Sequence, residues 1–223
     1  MIFPERVLFV GAHCDDIELM AGGLLAELCF RGTHQLGVLV FSDHRGVVDE
    51  ARAQAAREEF QGNLAFLGRE TGSLPVDHTA LILPACRGAF EAERGQIYAA
   101  LEALRERYDL VVTHAGSDTN QDHQQVFAEA ARVFKAHATL LGGEFPSNDL
   151  GGFVPQVFAP ISARALDAKV AMIGAYASQR FGGRPYLDEG PIRGLAAVRG
   201  AQIREPLAEA FCVSGRVILR SRA

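Results

Sequence analysis

The run Val7-Leu8-Phe9-Val10-Gly11-Ala12-His13-Cys14-Asp15-Asp16 decides how this chain is read, because an apolar stretch stops abruptly at an imidazole and two adjacent carboxylates. Four apolar residues in a row, two of them valine and one phenylalanine, predict a strand buried on both faces, as in a parallel sheet covered by helices. Directly after it, Ile17 to Leu28 is apolar at helical spacing, with Asp15 and Asp16 where a helix N-terminus favours negative charge. A strand, a turn carrying His and Asp, and then a helix is how open α/β sheets place ligands at their edge. His13 and Asp16 lie three apart, so one turn can aim both at one point, and imidazole with carboxylate suits zinc. Asp15 cannot share that direction and is left available as a general base beside a metal-activated water. The competing reading makes one aspartate a helix cap and His13 a space-filling strand end.

Working outward, Leu36 to Phe41 repeats the buried-strand pattern and ends in Ser42-Asp43-His44-Arg45. His44 and Arg45 therefore sit at a strand's C-terminal end, facing either the same cleft or a solvated loop. Val48 to Leu67 reads as an amphipathic helix, Thr71 to Cys86 as a loop with one short strand that could rim the site, and Gly88 to Tyr108 as the crossover helix that a parallel strand requires. That strand is Asp109 to Thr113. It delivers a second polar cluster, His114-Ala115-Gly116-Ser117-Asp118-Thr119-Asn120-Gln121-Asp122-His123, ahead of a helix whose apolar side is Val126, Phe127, Ala130, Val133 and Phe134. A parallel sheet brings the two clusters to one edge. His13, Asp16 and one histidine of the second cluster then form a three-ligand set with an open position, the pattern of a catalytic zinc site. His123, at a helix start that fixes its direction, is the preferred third ligand; His114, at the strand end, is left to orient a ligand or contact substrate.

With 223 residues, 48% of them hydrophobic, the chain has material for one large core, read as a single domain over 1–223. A net charge of −5 with scattered Lys and Arg argues against a nucleic-acid partner. Cys14, Cys29, Cys86 and Cys212 show no C-x-x-C pair and read as reduced thiols. With no apolar run of membrane-spanning length and no leader pattern, a cytoplasmic protein is expected. No G-x-G-x-x-G follows the first strand, which speaks against a dinucleotide-binding dehydrogenase. In the C-terminal third, Leu140 to Ile161 predicts loops around two short strands, and Ser162 to Ala177 a helix capped by Ser162. Arg180 to Arg193 predicts a flexible segment over the substrate, where Arg184, Tyr186 and Arg193 could meet sugar hydroxyls. Phe211 to Val213 and Val217 to Leu219 suggest a final hairpin or bent strand.

The pattern Ala12-His13-Cys14-Asp15-Asp16 with Gly22-Gly23, and the distant Asp122-His123 before an apolar helix, resembles the zinc-dependent N-deacetylases of the PIG-L/LmbE-like group. The resemblance extends through Glu144, Phe153 to Phe158, Ile161-Ser162, Lys169, Tyr176 to Gln179 and Ala208 to Phe211. It implies an α/β fold with a Rossmann-like, mostly parallel sheet, helices on both faces and a loop-rich C-terminal extension. The activity it implies is removal of an acyl group, usually acetyl, from an amino-sugar or related amine, a small-molecule N-acylated substrate. By the same resemblance His13, Asp16 and His123 hold Zn2+ or another divalent ion, Asp15 is the base, and a homo-oligomer is open. Cys14 stands where many members have Pro, and Ile17 where they have Glu. Asn120 stands where relatives often carry a histidine that helps stabilise the tetrahedral intermediate; an amide donates a hydrogen bond but brings no positive charge. His114, Tyr176 and Arg45 are the candidates to substitute, and with Asn120 they form the expected substrate contacts. An amidase for a non-sugar acylamine or thiol conjugate, or a non-catalytic binding protein, are the alternatives.

Overall fold

The computed structural model describes residues 4–32, 34–71, 78–80, 88–180 and 183–218. The strands are β1 (Arg6–His13), β2 (Gln35–Ser42), β3 (His78–Ala80), β4 (Leu110–His114), β5 (Thr139–Gly143), β6 (Val157–Pro160) and β7 (Ala208–Val213). The helices are α1 (Asp16–Arg31), α2 (Glu50–Thr71), α3 (Arg94–Glu102), α4 (Gln121–Phe134), α5 (Ala163–Ala175) and α6 (Glu189–Gln202). One seven-stranded sheet runs in the order β3-β2-β1-β4-β5-β7-β6. Pairing is parallel from β3 through β5, and β7 runs antiparallel to both of its neighbours.

Period-two alternation divides the strand side chains between two faces. Val7, Phe9, Val38, Val40, Leu110 and Val112 join a core with α1, α2, α5 and α6. Leu8, Val10, Leu39, Phe41 and Val111 join a second core with α3 and α4. Each fully buried Val, Leu or Phe contributes about 1.5–3 kcal/mol, which is why both faces of β1 are apolar from Val7 to Val10. Because β1 and β4 are neighbours and parallel, their C-terminal ends, His13 and His114, emerge at the same edge. The sheet reverses its strand order there, with β2 on one side of β1 and β4 on the other, so the crevice lies at a switch point.

Helix α1 is bent at Ala21 (φ −150°, ψ 16°), and the bend is held by a buried ion pair. Glu209 of β7 accepts from Gly23 N at 2.9 Å and Leu24 N at 2.7 Å, acting as a cap for the second half of the helix. Lys169 of α5 donates to Leu19 O at 2.8 Å and to Glu209 Oε1 at 2.6 Å, satisfying a carbonyl the bend would orphan. The approach needs Gly23, since a Cβ there would lie 2.7 Å from Ile161 Cδ1.

The C-terminal part sets β6, α5, α6 and β7 among its loops. Ser162 does cap α5, its hydroxyl accepting from Ala165 N at 3.2 Å. The segment expected to be flexible contains the start of α6, whose Ile192, Ala196 and Gly200 are buried. Pro191 falls in its first turn, where no intrahelical N–H is lost. Of the expected final hairpin or bent strand, Phe211 to Val213 end β7, which is inserted between β5 and β6 and has no hairpin partner among the described residues that follow it; Ile218 lies beside β5, its N–H donating to Thr139 Oγ1 at 2.8 Å, and Leu219 lies outside the described residues. Of the expected loop from Thr71 to Cys86, only Thr71, as the end of α2, and β3 are described. Cys14, Cys29 and Cys212 are free thiols. No helix among the described residues is long and apolar enough to cross a membrane.

Candidate metal centre

Three side chains from two strand ends converge. His13 ends β1, Asp16 opens α1, and His123 lies in the first turn of α4; one ligand atom from each falls within 4.8 Å of the others, and all three residues are buried. His13 Nδ1 and His123 Nε2 are each 3.3 Å from an Asp16 oxygen, and Asp16 Oδ2 also accepts from His13 N at 2.7 Å. Behind the two imidazoles stand carboxylates. Asp118 Oδ2 is 2.7 Å from His123 Nδ1, and Asp122 Oδ2 is 3.1 Å from His13 Nε2. Each carboxylate accepts from the far ring nitrogen, so when a divalent ion displaces one proton from the ring it is the nitrogen facing Asp16 that supplies the lone pair, the arrangement that orients metal-ligating histidines. Burial opposes charge on all of these groups but is outweighed. Asp16 and Asp118 raise His123 to about 10, Asp16 and Asp122 raise His13, and the histidines hold Asp16 well below the usual carboxylate range. A carboxylate ringed by imidazoles, with no Lys or Arg paired to it among the described residues, fits a divalent cation by the chemistry of its donors.

Asp15 is the N-cap residue of α1, yet its carboxylate makes no capping bond. It turns into the cleft, where Oδ1 lies 3.2 Å from His44 Nε2. Burial alone would raise its pKa, but His44 outweighs burial and keeps it lowered. His44 is held in the left-handed region (φ 68°), uncommon for a residue with a Cβ, and its ring stacks on His13 with centroids 4.7 Å apart. The cleft, a narrow cavity of about 40 Å³, is lined by these groups with Asn120, Phe145, Asn148, Arg184 and Tyr186.

Among the expected substrate contacts, Asn120 is at the cleft wall. Its Oδ1 is engaged as the N-cap of α4, accepting from Asp122 N at 2.9 Å and His123 N at 3.4 Å, which leaves Nδ2 as its remaining polar group. The other three do not line the cleft. His114 is buried against His123, rings stacked at 3.8 Å, and its Nε2 accepts from Ala12 N at 3.0 Å; burial and His123 depress its pKa, so it is a neutral wedge between β1 and β4. Tyr176 is fully buried behind the β1–α1 turn, donating to Cys14 O and lying 2.8 Å from Glu18 Oε1. Arg45 folds onto the buried Asp43, Nη2 donating to Oδ2 at 2.8 Å. The structure thus places Tyr176 and His114 behind the cleft wall and Arg45 in an ion pair with Asp43, away from the residues that line the cleft. Arg184 and Tyr186 join the cleft, whereas Arg193 pairs with Glu189 and Asp167 on the surface. Asp118, Asp122 and Asn148 gained their parts only in three dimensions; the acidic residues crowding the second cluster were the available signal.

The family described as PIG-L: GlcNAc-PI de-N-acetylase matches residues 8–134, more than half of the chain. A curated relative, "Uncharacterized deacetylase YaiS" of Escherichia coli (strain K12), is 30% identical over 181 residues, covering 78% of this chain and 91% of its own. Among solved structures, the N,N'-diacetylchitobiose deacetylase of Pyrococcus horikoshii superposes with a TM-score of 0.70 at 17% identity, over 94% of this chain and 84% of its own. GalB, the 4-carboxy-2-hydroxymuconate hydratase of Pseudomonas putida, superposes with a TM-score of 0.73 at 20% identity, over 98% and 100% of the two chains. One fold thus carries both a deacetylase and a hydratase, so likeness of fold alone does not choose the chemistry.

Proposed function

Because the chain belongs to the PIG-L family and is a hydrolytic N-deacetylase, we propose that it removes the N-acetyl group from a small amino-sugar or glycoconjugate, with zinc held by His13, Asp16 and His123. The observation that carries the proposal is the pairing of a buried two-histidine, one-aspartate cluster with a neighbouring carboxylate, Asp15, that neither caps its helix nor belongs to the cluster. A divalent cation bound there supplies a Lewis acid for the amide carbonyl and for a water. Asp15 accepts the proton of the attacking water and returns it to the departing amine. His44, 3.2 Å from Asp15, favours the ionised form of that carboxylate. Asn120 Nδ2, on the cleft wall with its Oδ1 engaged at the helix start, is the donor assigned to the developing oxyanion. Arg184, Tyr186 and Asn148, on the wall, are the groups for sugar hydroxyls.

The test is amine release from a panel of N-acetylated amino-sugar glycosides by zinc-loaded protein, with Asp15→Asn as the comparison. The expected result is turnover by the native chain and a loss of roughly 10²–10⁴-fold in the variant at undiminished metal content. A variant that loses the metal instead would make Asp15 a ligand, and retained turnover would remove it from the mechanism.

A further inference from the structure

His44 lines the metal cleft but stands outside the cluster of His13, Asp16 and His123. It lies just past the end of β2, buried, with its backbone at φ 68°, where a residue with a Cβ is uncommon. The loop around it is locked firmly enough to hold that conformation. His44 N donates to Ser42 Oγ at 3.2 Å, and His44 O accepts from Val47 N at 3.2 Å and Val48 N at 3.3 Å. The preceding Asp43, fully buried, accepts from Arg45 Nε at 2.9 Å and from Arg57 Nη1. Backbone strain persists only where the surroundings over-determine it, and it collects at functional sites.

The strained backbone places one ring. The His44 imidazole lies flat on that of His13, centroids 4.7 Å apart and planes 14° from parallel, and brings Nε2 to 3.2 Å from Asp15 Oδ1. Among the described residues neither of its buried ring nitrogens is held by a hydrogen bond elsewhere, so the polar edge of the ring is left to Asp15. Asp15 needs such a support. It is the N-cap residue of α1, yet its carboxylate accepts nothing from that helix. Beside a bound dication the carboxylate has a third resting place, because attraction to the ion outweighs an N-cap bond. An unsupported Asp15 would therefore turn onto the ion and cease to be available for proton transfer. We propose that His44 is a positioning residue: it braces the Asp15 carboxylate in the cleft, so that Asp15 stays a base and does not become a fourth protein ligand of the cation. Asp15 as base rests on the deacetylase reading; the brace between His44 and Asp15 does not.

Cobalt-loaded protein reads the brace without turnover, because the d–d bands of Co2+ report the ligands around it. His44→Gly suits the left-handed backbone, and His44→Phe keeps a ring against His13 but has no nitrogen; should one fail to fold, the other carries the test. Each is also made together with Asp15→Asn. Release of Asp15 onto the ion should shift the bands and tighten cobalt binding in both His44 variants, and neither change should occur in the Asp15→Asn background. His44→Gln, whose amide keeps a donor for Asp15, should return the native spectrum. With methyl N-acetylglucosaminide as substrate, kcat should fall roughly 10²-fold in His44→Gly while KM stays within about twofold of the native value. The same change should cost nothing further once Asp15 is replaced. An unchanged cobalt spectrum in a folded His44→Gly or His44→Phe variant overturns the proposal whatever kcat does. Spectral changes that persist in the Asp15→Asn background, or weaker cobalt binding, also overturn it and make His44 a packing support for His13. A spectral change that depends on Asp15, in a protein that cleaves no amide, upholds the brace and removes the deacetylase reading.

Discussion

Replacing Asp118 by Asn tests how the metal site is held without touching a ligand. The Asp118 side chain is 2% exposed and accepts on both oxygens, from His123 Nδ1 at 2.7 Å on Oδ2 and from Asn120 N at 2.8 Å on Oδ1. Asparagine has the same shape but only one acceptor. If its oxygen stays on Asn120 N–H, its NH2 faces His123 Nδ1 and drives the ring proton to Nε2, the nitrogen that faces Asp16. If the amide is flipped, His123 keeps its tautomer but two donors meet at Asn120 N. The first orientation keeps the hydrogen bond but removes the lone pair that faces the metal, whereas the flipped one loses one buried hydrogen bond, about 1–3 kcal/mol. Loss of such a partner typically weakens metal affinity by roughly 10–100-fold, about 1.4–2.7 kcal/mol. The assay is competition against a chromophoric chelator at fixed pH, with melting temperature recorded to separate a folding defect from a binding one. Metal affinity within about twofold of the native value in a folded Asp118→Asn variant would refute the reasoning, because the tautomer of His123 would then not depend on Asp118.

Metal affinity should rise with pH, since the metal must displace protons from histidines whose pKa values the neighbouring carboxylates raise, His123 to about 10. Calorimetry in buffers of different ionisation enthalpy should show between about one and two protons released per ion near pH 7, whereas none released would contradict the carboxylate-supported imidazoles. Glu18 tests the layer behind the turn. Burial, only partly offset by bonds from Asn63 and Tyr176, lifts its carboxyl from 4.5 to about 7. The unfolded chain therefore ionises first, so the metal-free protein should lose stability as pH rises from 4.5 to 7, on the order of 3 kcal/mol in all. Glu18→Gln should flatten that slope in denaturant titrations run across the interval, and an unchanged slope would assign it to another group.

The parts of the fold legible in the sequence are those where burial on both faces writes itself as an unbroken apolar run. Val7 to Val10, Leu36 to Phe41 and Leu110 to Val112 are such runs, and each lies within a strand of the parallel sheet. Helix α6 was hidden because Gly190, Pro191, Gly194 and Gly200 depress its propensity, while packing of Ile192 and Ala196 overrides it. Gly200 is required by a close approach, since a Cβ there would lie 2.7 Å from Glu205 O. At the site, the convergence of His13, Asp16 and His123 followed from strand ends and spacing alone. What spacing could not give was partnership across the chain. Asp122 meets His13 from 109 residues away, and Tyr176 reaches Cys14 from 162. His114 shows the same limit: its place at the end of β4 was legible, but the Ala12 N–H that makes its ring an acceptor belongs to the neighbouring strand.

The central claim is most directly tested by metal content. Elemental analysis of the purified native chain, and of His13→Ala, His123→Ala and His114→Ala after equal exposure to zinc, should give about one ion per chain in the native protein and in His114→Ala, and little in the other two. A native chain that takes up no divalent ion, or a His114→Ala variant that loses the metal while His123→Ala keeps it, would contradict the account.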